Sequence, residues 1–289
     1  QLSLEVLREL EADILQVIGD VSQSYQDWES MQERFTKAAI NLESSDQEFL
    51  PADITESAAF CRWLVDGNFT FLGYLELIPT NGSDDSPLKP VESSGLGILQ
   101  PSPDSLERNV LDLLPPVDTS HLKKSNLLVV TKASQRSTVH RPAYMDLIVI
   151  RRFAESGQIC GECCLLGLFS TAAYSHAVRD IPLLKRKMQL LLERSHLPVK
   201  GHGAKVLQNI VETYPRDDLF QVSDDELFEI AMGILDLQER HRIRVFPRRD
   251  CFRRFYSCLV YVPRDRFNSE LRIRIGKILN QAYHGRSFE

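Results

Sequence analysis

Apolar residues recur at steps of three and four along the start of the chain: Leu7, Leu10, Ile14, Val17, Val21, Trp28, Met31, Phe35, Ala38 and Leu42, with Ser24 the only polar member. A repeat near 3.5 residues predicts a heptad-type helix whose seam needs a surface to cover it. A single helix over residues 7–42 would measure about 54 Å, more than one small domain uses. The expected partner of residues 1–48 is therefore a second copy of the chain, giving a homo-oligomer through this helix, or a neighbouring domain. Gly19-Asp20 is where the segment would break if it is instead a two-helix hairpin.

The period then changes. Pro51-Ala52-Asp53-Ile54-Thr55 opens a helix expected over residues 56–65 and ended by Asp66-Gly67-Asn68. Residues 69–78 read as a strand, 79–94 as a mobile surface loop, 95–99 as a short strand, and 103–114 as a helix closed by Pro115-Pro116. Residues 126–131, 144–153 and 159–169 are further strands, the last two joined by the hairpin turn Glu155-Ser156-Gly157-Gln158. Three helices follow over residues 181–194, 203–214 and 223–240, the third opened by Ser223-Asp224-Asp225-Glu226, a reciprocal capping sequence. Strands over 242–246 and 255–262, separated by the polar turn 248–254, and a helix over 268–283 complete the pattern. The expected class is α+β. An antiparallel sensor-type domain spans residues 49–175, a helical linker 176–240, and an incomplete β-β-α unit 241–289.

Composition narrows the setting. Of the 289 residues, 43% are hydrophobic and 26% charged, as in ordinary globular chains of about two domains. Apolar runs fall far short of the roughly 20 residues of a membrane helix, so no membrane partner is expected. Six scattered cysteines form no disulfide framework, which suggests a reducing cytoplasm. Gln1 in place of Met, followed by an acidic amphipathic pattern, suggests an excerpt of a longer polypeptide. The net charge of -6 conceals two opposed fields: residues 1–60 carry thirteen acids against three Lys/Arg, and residues 240–277 twelve Lys/Arg against three acids. The basic part, with Phe246, Phe252, Phe255 and Tyr256 among its arginines, is a weak nucleic-acid signal, because its helix has an ordinary core stripe and the chain's pI is about 5.7. No nucleic-acid partner is expected; an acidic surface, such as the N-terminal helix of a neighbouring subunit, fits this face better.

Candidate chemistry is sparse. Gly95-Leu96-Gly97 and Gly201-His202-Gly203 lack the third glycine and the strand-to-helix setting of a dinucleotide loop, and there is no Walker sequence or Gly-x-Ser-x-Gly elbow. Cys160-Gly161-Glu162-Cys163 has half a zinc site's spacing, but alternation on a strand would set Cys160 and Cys163 on opposite faces and Cys160 with Cys164 on one. The densest polar block is residues 131–146, read as a loop between two apolar strands. Lys132, Arg136, Ser137, Thr138, His140 and Arg141 gather there. Three roles are open to them: pairing and capping within the loop, binding a carboxylate or phosphate effector such as an amino acid, or a Ser137/His140 catalytic set.

The run Val129-Val130-Thr131-Lys132-Ala133 through Arg136-Ser137-Thr138-Val139-His140-Arg141-Pro142-Ala143-Tyr144-Met145-Asp146 resembles the large bacterial type of NAD-specific glutamate dehydrogenase, in its N-terminal regulatory region. So do Phe69-Thr70-Phe71-Leu72-Gly73-Tyr74, Leu168-Phe169-Ser170-Thr171-Ala172-Ala173-Tyr174, Glu212-Thr213-Tyr214-Pro215-Arg216-Asp217-Asp218 and Cys258-Leu259-Val260-Tyr261-Val262-Pro263-Arg264-Asp265. The resemblance implies a parent enzyme that converts L-glutamate to 2-oxoglutarate and ammonium with NAD as cofactor. It also implies a PAS-like module over residues 49–175 and the start of an ACT-like (ferredoxin-like) module over 241–289. The dinucleotide fold and glutamate-binding lysines of a catalytic domain are absent, so the chain itself should be non-catalytic and hold no cofactor or metal. The alternative is a free-standing amino-acid sensor or scaffold.

Overall fold

The computed structural model describes residues 3–43, 49–81, 86–100, 113–114, 126–198, 200–237 and 242–286. They form two units, Gln1–Leu183 and Leu184–Glu289.

In the first unit the heptad pattern becomes two helices, α1 (Leu4–Gln26) and α2 (Trp28–Glu43). The expected break at Gly19-Asp20 does not occur; helix α1 runs through it, since a glycine in open helix costs only about 1 kcal/mol. The interruption falls at Asp27, whose backbone adopts φ -95°, ψ 3°. Asp27 N donates to Gln23 O at 3.1 Å and Met31 N to Asp27 O at 2.8 Å, so the chain bends without reversing and no hairpin forms. The Asp27 carboxylate accepts the Gly97 amide at 2.8 Å. Ser24, the polar member of the seam, is buried because its hydroxyl donates to Asp20 O at 2.7 Å and lies 3.3 Å from Leu72 O.

Helix α3 (Pro51–Trp63) starts earlier than expected, with proline at its first turn, where a missing N–H costs nothing. A wider turn, Leu64–Asn68, with Gly67 at φ +84°, leads into the sheet. Its strands are β1 (Phe69–Pro79), β2 (Leu88–Pro90), β3 (Leu96–Gly97), β4 (Leu128–Arg136), β5 (Tyr144–Phe153) and β6 (Ile159–Phe169). All pair antiparallel in the order β2-β1-β6-β5-β4, with β3 also on β1. Strand β2 lies inside the stretch expected to be a mobile loop, because Leu88 is apolar and buried against the sheet. The helix expected over residues 103–114 lies outside the described residues, apart from buried Leu113 and Leu114.

Both faces of the sheet are covered, which explains the nearly unbroken burial along β5 and β6. One face gathers Leu72, Leu75, Leu77, Met145, Leu147, Val149, Cys164 and Leu166 with Ile98, Leu99, Leu113 and Leu114. On the other, α2 supplies buried Met31, Phe35, Ala38, Ala39 and Leu42, and the Phe35 and Phe71 rings meet edge-on at 5.8 Å. Asn41 ties α2 to the end of β5, donating to Phe153 O and accepting from Phe153 N, both at 2.8 Å. A short helix, α4 (Thr171–Ser175), follows β6 and is capped by Ser170.

The second unit contains α5 (Leu184–Ser195), α6 (His202–Glu212), α7 (Arg216–Gln221) and α8 (Asp224–Leu237). A hairpin of β7 (Arg244–Arg249) and β8 (Tyr256–Tyr261) and a final helix, α9 (Ser269–Ala282), complete it. Leu183 sits at φ +67°, so α5 begins after it rather than at residue 181. The α8 cap is reciprocal as expected: Glu226 N donates to Ser223 Oγ at 3.3 Å and Ser223 N to Glu226 Oε2 at 3.1 Å. Gly233 lets α8 approach β7, because a Cβ there would lie 2.6 Å from the Phe246 ring.

Gly97 is a tight test of the approach of β3 to β1. It has φ +60°, and a Cβ would lie 2.1 Å from Leu72 O. Gly97→Ala should therefore cost at least about 2 kcal/mol, seen as a lower denaturant midpoint with an unchanged slope.

Candidate functional site

The polar block 131–146 is mostly strand. Strand β4 continues through Arg136 and β5 begins at Tyr144, so only residues 137–143 form a connection. The reason is register: Lys132 pairs with Asp146 and Arg136 with Tyr144, with an irregularity between them. Lys132 and Arg136 are thus strand residues, and the remaining four candidates occupy the turn.

Five of the six positions, all but His140, have an identifiable structural job. Lys132 Nζ donates to Asp146 Oδ1 at 2.7 Å, and Asp146, 2% exposed, accepts the Phe169 amide on Oδ2 at 3.2 Å. One carboxylate thus joins β4, β5 and the end of β6. Arg136 donates to Pro142 O at 3.0 Å and its guanidinium lies 4.9 Å from the Tyr144 ring centre. Arg141 donates to Phe169 O at 3.0 Å and lies over the Tyr174 ring at 5.7 Å. Thr138 Oγ1 donates to Asp20 Oδ2 at 2.6 Å, fixing the turn to α1. Ser137 Oγ donates to Val139 O at 2.7 Å and accepts Val139 N at 3.0 Å, so its proton is directed to its own turn and not to His140. His140 is exposed, at φ +67°. Donors that close backbone carbonyls shape a turn; they do not assemble a nucleophile and base.

The cysteines divide between the two faces. Phe153 pairs with Ile159 and Arg152 with Gly161, so Cys160 is an extra residue in a bulge, and the strict alternation assumed for residues 160–164 fails there. Cys164 belongs to the core face that includes Leu166. Tyr74 Oη lies 3.2 Å from Cys163 Sγ and 3.0 Å from Glu76 Oε1, and Glu76 also pairs with Arg152 at 3.0 Å. Burial pushes the Cys163 thiol up to about 12 and raises Cys61 and Cys164 as well. Protonated thiols are poor nucleophiles and poor metal ligands.

The second unit holds a polar core that the sequence did not reveal. Arg248 of β7 donates through Nε to Asp218 Oδ1 of α7 at 2.9 Å, and both side chains are buried. Lys187 of α5 reaches the end of α7, its ammonium donating to the carbonyls of Leu219 at 3.0 Å, Phe220 at 3.2 Å and Val222. Burial pulls Lys187 down to about 8, with Asp224 opposing. A cation on a helix's final carbonyls satisfies acceptors that have no partner within the helix. Sequence spacing gave no sign of this set, since its members lie thirty or more residues apart.

An antiparallel sheet with helices in the first unit, and four helices followed by a β-β-α element in the second, define an α+β class. Comparison with known proteins narrows it further. Residues 181–240 match the family model for glutamate dehydrogenase, helical motif 1, and residues 244–289 that for glutamate dehydrogenase, ACT2 domain. The chain is 39% identical over 276 residues to the NAD-specific glutamate dehydrogenase of Halomonas elongata, covering 94% of this chain and 17% of that protein. It is 37% identical over 273 residues to the corresponding protein of Pseudomonas aeruginosa, again covering 94% and 17%. With that of Mycobacterium tuberculosis it shares 29% over 284 residues, 98% of this chain and 16% of that protein. Over 94% of its length the chain is thus similar to a segment that makes up 17% of the Halomonas and Pseudomonas proteins, and two parts of it match glutamate dehydrogenase segment models.

The Asp218–Arg248 pair joins the two matched segments. Asp218→Leu or Arg248→Met alone should cost about 3–5 kcal/mol, because each strands a buried charge. The double variant should recover most of that loss in equilibrium unfolding; additive losses would contradict a paired role.

Proposed function

We propose that the chain is a non-catalytic regulatory and assembly segment of an NAD-specific glutamate dehydrogenase. Its parent would convert L-glutamate, NAD and water to 2-oxoglutarate, ammonium and NADH. The observation that carries this reading is the pairing of two glutamate dehydrogenase segment matches with a polar block whose groups are engaged in structure rather than chemistry. NAD would bind elsewhere in the parent, and cytoplasmic residence follows from that role. Among the described helices none is long and apolar enough to cross a membrane.

The finer reading of residues 49–175 is a PAS-like sensor. It is supported by the antiparallel order β2-β1-β6-β5-β4, in which the first and last long strands of the sheet lie side by side at its centre. Residues 241–289 would contribute the opening strands and helix of an ACT-like module, and 176–240 the helical linker between them. An amino-acid effector would meet Arg136, Thr138, His140 and Arg141, the exposed candidates of the 137–143 turn and its strand end.

Two assays test the proposal. The isolated chain mixed with L-glutamate and NAD should form no NADH, whereas the longer polypeptide containing it should; NADH formation by the chain alone would overturn the non-catalytic reading. In a thermal-shift panel of amino acids and 2-oxo acids, an effector at a hundred times its Kd should stabilise the chain by about 2.7 kcal/mol. Arg141→Ala should weaken that response. Silence across the panel would remove the effector role from this chain while leaving the enzyme assignment to the first assay.

A further inference from the structure

The sheet face beneath α2 carries a second cluster of charge, none of it in the 131–146 block. Glu76 of β1 meets two arginines from different elements. Arg152 of β5 brings Nη1 to 3.0 Å from Oε2, and Arg34 of α2 brings Nη1 to 3.9 Å from Oε1. Tyr74 Oη donates to the same Oε1 at 3.0 Å, and burial keeps that phenol protonated. Each oxygen of Glu76 thus has a close donor already. Arg34, beyond hydrogen-bond length, is the surplus charge.

Register and helical period place the three groups. Glu76 lies opposite Cys163 of β6 and Arg152 opposite Gly161 of the same strand, so β6 runs between acid and arginine. Gly161 shares a face with Cys163 and sets no side chain in the path of Arg152. On α2, Asn41 lies two turns beyond Arg34 on the same flank. Asn41 holds both backbone groups of Phe153, the residue after Arg152, which keeps that flank over the end of β5.

Two guanidinium charges therefore share one carboxylate. The neighbouring acid, Glu33, is engaged by Lys37 at 2.7 Å. The side chains of Arg34, Arg152 and Glu76 are 39%, 29% and 18% exposed, so the surplus charge is open to a solute yet partly withdrawn from water. Like charges in such a setting favour an added anion. One negative charge balances the cluster, whereas a dianion would be repelled by Glu76, and planar guanidinium forks match a carboxylate.

We propose that Arg34 and Arg152 form a binding site for the carboxylate of a small monoanionic organic acid, with Glu76 setting its charge limit. The site is separate from the 137–143 turn and stands whether or not the enzyme assignment does.

Acetate is the probe, titrated into the full 289-residue chain with chloride replaced at constant ionic strength, and the arginine Nε–H signals are followed by NMR. The Arg34 and Arg152 signals should shift saturably, with a dissociation constant in the millimolar range for so small a ligand. Arg34→Ala should abolish saturation, and Arg34→Lys, which keeps the charge without the fork, should weaken it. Glu76→Gln should tighten acetate binding about three- to tenfold by removing the resident negative charge; a network with a purely structural role would loosen instead. Inorganic phosphate, largely dianionic at pH 8, should bind the native chain more weakly than acetate. Shifts that never saturate, binding unchanged in Arg34→Ala, a folded Glu76→Gln variant that binds acetate no more tightly than the native chain, or phosphate binding as tightly as acetate would each overturn the proposal. The native and Arg34→Ala titrations decide the matter even if Glu76→Gln does not fold.

Discussion

A single buried carboxylate holds the first unit's polar end together. Asp146 lies opposite Lys132 on β4 and Gly167 on β6, takes an ion pair from the first, and accepts the Phe169 amide where β6 ends. A charge so deeply buried is tolerated only when paired and hydrogen-bonded, and Asp146 meets both conditions. Arg141 then takes the Phe169 carbonyl, so both polar groups of that residue's backbone are engaged from the same short segment. The 137–143 turn, its link to α1 through Thr138 and Asp20, and the departure of the chain from β6 all rest on this arrangement.

Much of the sheet could be read in advance because alternation and apolar runs are local signals. Strands β1, β5 and β6 and helices α6, α8 and α9 fall close to where the pattern places them, and the Ser223/Glu226 cap is an i,i+3 relation visible in four consecutive residues. What could not be read was long-range. Polarity marked residues 131–146 as a loop, yet Lys132 is a strand residue because Asp146, fourteen positions away, neutralises it. The helix break was expected at glycine and occurs at Asp27, whose carboxylate accepts the Gly97 amide. Strict alternation misjudged the cysteines because a bulge has no sequence signature as regular as the strand it interrupts.

The candidate site shows the same division. Sequence brought together Lys132, Arg136, Ser137, Thr138, His140 and Arg141, and the structure keeps them in one neighbourhood. Their partners, however, are Asp146, Pro142 O, Val139, Asp20 and Phe169 O, which only the fold identifies. Asp218, Arg248 and Lys187 went unnoticed because nothing local distinguishes a buried ion pair from two surface charges. That pair connects the segments matching helical motif 1 and ACT2, so a rearrangement of the β7–β8 hairpin must either carry α7 with it or expose a charge.

The polar segment is a structural lock centred on Asp146, and native-state hydrogen exchange at the Phe169 amide reports its state. In the native chain this amide should exchange only through global unfolding, and through a faster local opening when Asp146 is replaced by asparagine. A Phe169 amide that already exchanges in the native chain as fast as those of the exposed 137–143 turn would contradict it.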